Sequence, residues 1–166
     1  NVSSIAPTCA LVTLSDGRAL AYEEQGEADG RPVFYFHGLP GSRLQRHPDP
    51  TIPERLGVRL ITVDRPGIGR SDLLPDRQFH DWAADIEQLA DALALDRFGL
   101  LGWSGGGPHA LACAAVMPER VSRVGLIACP HSFALRGSLA GVSRGNWLLF
   151  GPARYGWLAW LTGLLW

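Results

Sequence analysis

The stretch Gly102-Trp103-Ser104-Gly105-Gly106, followed by Gly107-Pro108, places a serine between glycines two residues to either side. That spacing suits a nucleophile on a sharp strand-to-helix turn, where a strained backbone thrusts the hydroxyl out at the edge of a sheet. Bulky side chains at Gly102 and Gly106 would clash in such a turn. A helix starting behind Ser104 would turn free N–H groups and a positive dipole end toward a developing oxyanion. The plainer reading is a glycine-rich turn holding an incidental serine. The apolar run Phe98–Trp103 before it and the helical pattern after it favour the nucleophile. A phosphate-binding loop would need G-x-G-x-x-G or a G-K-[ST] ending, and the stretch has neither.

A second candidate is His37-Gly38-Leu39-Pro40-Gly41-Ser42, directly after the apolar run Val33–Phe36. Glycines let such a loop fold close to a reacting centre and aim a backbone N–H inward. Acyl transfer needs two such donors, one after the nucleophile and one from an earlier strand–helix loop.

Four apolar runs can position these residues: Val33–Phe36, Val58–Val63, Phe98–Trp103 and Val124–Cys129. None alternates cleanly, which is how strands buried on both faces of a parallel sheet read. Between them, His80–Leu95 carries Trp82, Ile86, Leu89, Ala90 and Leu93 at helical spacing, with Asp81 and Asp85 placed to suit the helix dipole. Gly105–Met117 reads as a small, apolar helix stopped by Pro118. Near the N-terminus, Thr8–Leu14 and Ala19–Glu24 flank Ser15-Asp16-Gly17-Arg18, a hairpin signal. Arg43–Pro53, with three prolines, leaves room only for a short helix. The predicted class is α/β: an N-terminal hairpin leading into a mostly parallel sheet with helices on both faces.

Together the H-G-x-P-G loop and the G-x-S-G-G-G-P elbow resemble the α/β-hydrolase superfamily. So does Asp64-Arg65-Pro66-Gly67-Ile68-Gly69-Arg70-Ser71-Asp72, similar to that family's D-x-x-G-x-G-x-S turn. The resemblance covers about residues 10–135. It implies that Ser104 is the nucleophile and that the N–H groups of Leu39 and Gly105 form the oxyanion hole. It also implies that His37 braces the oxyanion loop, with Gly38, Gly102 and Gly106 supporting loop and elbow. Asp64 and Asp72 are expected to be solvated turn residues.

A serine nucleophile needs a base and an acid to orient it, in this fold in the order Ser, Asp or Glu, His. The last acidic residue is Glu119, and the only later histidine is His131. His109, five residues past Ser104, falls about 140° round the helix and is expected to serve packing. His47 and His80 lie in surface-like segments. The expectation is an N-terminal part of a serine hydrolase acting on ester-type bonds, truncated before the last strands. Its core would span 1–135, and 136–166 would begin an apolar helical cap. The triad acid and histidine would lie beyond Trp166, leaving the fragment inactive or nearly so. A small-molecule acyl substrate is implied, with no metal or organic cofactor. Serine in the elbow argues against epoxide hydrolases and haloalkane dehalogenases, which carry aspartate there. The alternatives are a non-catalytic, hydrolase-like binding protein and an acyltransferase.

The 166 residues carry fifteen Lys and Arg against sixteen Asp and Glu, a formal net charge of -1, which argues against a nucleic-acid partner. With 46% hydrophobic residues the chain is not of disordered composition. Three cysteines without metal-ligand spacing, and no signal peptide, fit a reducing, cytoplasmic setting. Residues 145–166 hold a single charge, Arg154, but Gly151, Pro152, Gly156 and Gly163 interrupt them. They read as broken apolar helix rather than a membrane span; membrane association is the lesser reading.

Overall fold

The computed structural model describes residues 4–5, 8–130 and 143, the first two by backbone alone. All described elements lie within the compact unit Asn1–Cys129. The readings placed on 131–166, including His131 and the apolar tail, fall outside the described residues, as does the expected boundary at 135.

β2 (Cys9–Thr13) and β3 (Ala19–Glu27) form the predicted antiparallel hairpin, with Thr13 paired to Ala19. Gly17 takes φ 89 in the turn, a conformation open to glycine without penalty. β1 (Ser4–Ile5) also pairs antiparallel with β3. β3 then lies antiparallel to β5 (Val58–Val63), which continues into the parallel series β5, β4 (Arg31–Phe36), β6 (Phe98–Trp103) and β7 (Val121–Ile127). The result is a seven-stranded mixed sheet in the order β1-β3-β5-β4-β6-β7, with β2 on β3.

The four-residue α1 (Ile52–Arg55) is the short helix that the proline-rich stretch allowed. α2 (Phe79–Ala92) starts where the Gln78 N–H donates to the Asp81 carboxylate at 2.7 Å. α3 (Gly107–Val116) follows a 3₁₀ turn, Ser104–Gly106. The apolar stripe of α2, Trp82, Ile86, Leu89 and Ala90, is buried with Phe34, Phe36, Ile61 and Phe98 from the strands and Ala110 and Cys113 from α3. Phe34 meets Phe98 edge-on at 4.9 Å, and Phe36 meets Trp82 at 5.1 Å. Each such side chain removed from water contributes about 1.5–3 kcal/mol.

Two expectations give way here. β7 is not buried on both faces: Val124, Leu126 and Ile127, which lie on both of its faces, are exposed among the described residues. Asp85 does not simply suit the helix dipole. It is buried and takes both arms of the Arg18 guanidinium, at 2.6 and 3.1 Å, tying the hairpin to α2.

Candidate active site

The chain passes from β4 out to β5 on one side, then returns to β6 on the other side of β4. That reversal leaves a crevice outside the carboxyl ends of β4 and β6, the place where open α/β sheets bind ligands. Both candidate motifs sit there. Phe36 pairs with Gly102 in the last register position between β4 and β6, so His37-Gly38 and, one residue past Trp103, Ser104 leave the sheet side by side.

Ser104 stands at the junction of β6 and the 3₁₀ turn with φ 48. A serine held in the left-handed region is strained by about 1–2 kcal/mol, and such strain persists only where the surroundings over-determine it. The surroundings are two glycines. A Cβ on Gly102 would lie 2.7 Å from Gly107 Cα, and one on Gly106 would lie 2.7 Å from the Phe36 carbonyl carbon. Any side chain there would push the elbow off the sheet end.

The loop 37–42 folds against this turn. A Cβ on Gly38 would lie 3.3 Å from Ser104 Cβ, and one on Gly105 would lie 3.1 Å from Leu39 Cγ. Gln45 secures the loop: its Oε1 accepts the Gly38 N–H at 2.7 Å. The Leu39–Pro40 peptide is cis.

His37 is fully buried. Its Nδ1 lies 2.9 Å from Gly38 O and 3.1 Å from Arg65 Nη2, while Nε2 accepts the Arg65 N–H at 3.5 Å. Burial, reinforced by the Arg65 charge, pulls its pKa down to about 4, so the ring is neutral at pH 7. Both ring nitrogens of His37 are thus engaged, by Gly38 and Arg65, leaving none free for Ser104. His109 Nδ1 lies 3.0 Å from Gly105 O, and the ring packs edge-on against Phe79 and Trp82. Burial and Arg65 bring its pKa down to about 3. His47 and His80 are exposed.

Asp64 overturns its expectation as a solvated turn residue. It is fully buried at the end of β5, where it accepts the N–H groups of Arg43 and Arg70 and an ion pair from Arg43 at 2.6 Å. Arg43 reaches on to Glu23, itself paired with Arg46. Asp72 is exposed, as expected, and caps the Ala19 N–H at 2.8 Å. Arg65, Gln45 and Arg43 thus contact the two loops or Asp64 beside them, and the sequence reading does not single them out. For Arg65 a signal existed: a cation at the carboxyl end of an apolar strand, inside a glycine-rich turn. Among the described residues no three His, Cys, Asp or Glu side chains gather as metal ligands, and no helix is long and apolar enough to cross a membrane.

Residues 31–153 match the sequence profile of the family described as alpha/beta hydrolase fold. The chain belongs to the α/β-hydrolase family. Among curated relatives, this α/β-hydrolase chain is 32% identical over 144 residues to a proline iminopeptidase of Neisseria gonorrhoeae, covering 79% of the chain and 44% of that protein. It is 37% identical over 118 residues to a non-heme chloroperoxidase of Streptomyces lividans, covering 70% and 43% respectively. The chain thus spans less than half the length of these relatives. Among solved structures, the epoxide hydrolase CorEH superposes with a TM-score of 0.71 over 94% of this chain and 55% of its own. At 22% identity that likeness is one of fold.

Proposed function

We propose that this α/β-hydrolase cleaves an ester-type bond of a small-molecule acyl substrate through an acyl-enzyme on Ser104. The observation that carries the reading is Ser104 at φ 48, held between strand and helix in the crevice where the Gly38 loop closes on it. The serine oxygen attacks the carbonyl carbon and its proton passes to a general base. The carbonyl oxygen becomes an oxyanion, met by the N–H groups of Leu39 and Gly105. Collapse expels the alcohol with a proton from the base, and water then attacks the acyl-enzyme by the same route. Neither step calls for a metal or organic cofactor.

The base and its acid have no candidate near Ser104 among the described residues, since His37 is fully engaged and His109 is packed and bonded to Gly105 O. We assign them to the part of the protein outside the described residues, and expect little turnover from 8–130 alone. The relatives named proline iminopeptidase add prolyl amides to the substrates worth testing.

The test is turnover of p-nitrophenyl esters and of prolyl p-nitroanilide by the full-length protein and its Ser104→Ala variant. The reading expects ester turnover that falls by about 10³-fold or more in the variant. Equal turnover by both proteins would remove Ser104 from the chemistry. Wild-type protein that binds esters without turning them over would point to the non-catalytic alternative.

A further inference from the structure

Arg65 is a buried guanidinium with no carboxylate partner among the described residues, and its Nε lacks any hydrogen-bond partner. A buried, unpaired charge costs several kcal/mol, so its place needs a reason. Its two terminal nitrogens supply one. Nη2 donates to Gly38 O at 3.0 Å and Nη1 donates to Gly105 O at 3.3 Å. The first carbonyl belongs to the loop after β4, the second to the turn after β6. One rigid, planar fork thus joins the two arms of the crevice.

We propose that Arg65 is a positioning residue of the oxyanion hole, bridging the Gly38 and Gly105 carbonyls so that the Leu39 and Gly105 N–H groups are held at fixed direction and spacing. This rests on the reading of Ser104 as nucleophile. The geometry of the peptide carries it. The Gly38–Leu39 bond is trans, which sets the Leu39 N–H antiparallel to the Gly38 carbonyl. Pinning that carbonyl to Arg65 at 3.0 Å aims the N–H the opposite way. The Gly105 carbonyl is likewise shared between Arg65 and His109, which fixes the turn just past Ser104. A cation on the carbonyl side also polarises the Gly38–Leu39 peptide and strengthens the Leu39 N–H as a donor. Burial and the neighbouring Arg77 bring the Arg65 pKa down to about 10, which leaves it protonated at pH 7.

The experiment compares Arg65→Met, Arg65→Lys and Ser104→Ala in the full-length protein. It measures kcat and KM for p-nitrophenyl butyrate, with active sites counted by fluorophosphonate titration, and the inhibition constant of benzeneboronic acid, whose tetrahedral adduct places an oxygen in the hole. Misplacing a reacting geometry by about 1 Å costs on the order of 10²-fold, so Arg65→Met should lower kcat per active site by about 10- to 100-fold. KM should stay within about twofold, and boronate should weaken by a factor like that of kcat. Arg65→Lys keeps the charge but not the fork and should recover only part of the loss. Wild-type kcat per titrated site in Arg65→Met overturns the proposal. So does a loss confined to the number of titratable sites. If the Met variant does not fold, Arg65→Lys decides alone: wild-type kcat and boronate affinity refute the bridge. Ser104→Ala separates the two readings. Turnover retained there defeats the nucleophile assignment and this proposal with it, whereas an inactive Ser104→Ala beside a fully active Arg65→Met defeats only the role of Arg65.

Discussion

Gly106→Ala separates the geometric role of the elbow from its contribution to stability. The new Cβ would lie 2.7 Å from the Phe36 carbonyl carbon, closer still to its oxygen, and 2.9 Å from His37 O. These are backbone atoms at the end of a central strand, and they cannot rotate aside. Ordinary contact begins at 3.4 Å, so the turn must retreat from β4 by at least about 0.7 Å. Over-packing of this kind costs about 1–3 kcal/mol in stability. The retreat also carries Ser104 away from the Gly38 loop by a large part of an ångström, a distance that should lower kcat by about 10- to 100-fold. Gly17→Ala supplies the control. Its φ is 89 but a Cβ there meets nothing within 4 Å, so it pays only for backbone strain, about 1–2 kcal/mol. Urea unfolding and p-nitrophenyl ester turnover per active site, measured on both variants of the full-length protein, give the comparison. Similar stability losses with activity lost only in Gly106→Ala are expected. A folded Gly106→Ala with kcat within twofold of wild type would refute the argument that elbow-to-loop distance governs the site.

Three further outcomes follow from the same structure. Arg18→Ala leaves the Asp85 carboxylate buried without its partner and should cost about 3–5 kcal/mol in urea unfolding, while activity per folded molecule is unchanged; a loss below 1 kcal/mol would show the pair to be superficial. His37 and His109 are neutral when folded and take up a proton on unfolding, so their contribution is complete above pH 6.5. It declines as pH falls from 6.5 toward about 4 for His37 and about 3 for His109. Between pH 6.5 and 5 each should remove about 2 kcal/mol, and a flat unfolding free energy across that window would contradict their burial as neutral rings. Val124, Leu126 and Ile127 on β7, and Leu111 and Val116 on α3, are exposed among the described residues. Light scattering should find the 166-residue chain self-associated through these apolar side chains, and Leu126→Lys should reduce that association; a monodisperse 18.0 kDa species would contradict this.

The elements around Ser104 were legible because local pattern and tertiary role agree there. Gly102 and Gly106 flank the serine in the sequence, and the fold shows backbone occupying the space their side chains would need. The runs Val33–Phe36 and Val58–Val63 lie within strands β4 and β5, since little but apolar residues can fill the centre of a parallel sheet. β7 begins three residues before its apolar run: Val121 and Arg123 pair with Phe98 and Gly99, and Ser122 falls at the register shift between them. The burial of Asp64 and the partners of Arg65 were not legible, for a different reason. What makes an acid or an arginine stable when buried is its partners. The charged partner of Asp64 is Arg43, twenty-one positions away, and Arg65 bonds the carbonyls of Gly38 and Gly105, twenty-seven and forty positions away. The strand order that brings β4 beside β6 is likewise a long-range fact, and it alone places the two glycine loops in one crevice.

The central claim is that Ser104 is the nucleophile of this α/β-hydrolase. It is tested most directly by treating the full-length protein with a fluorophosphonate and mapping the adduct by peptide mass spectrometry. The account predicts one adduct per chain, on Ser104, formed in step with loss of ester turnover and absent from Ser104→Ala. Turnover lost to an adduct on any other residue, or an active enzyme that leaves Ser104 unlabelled, would contradict it.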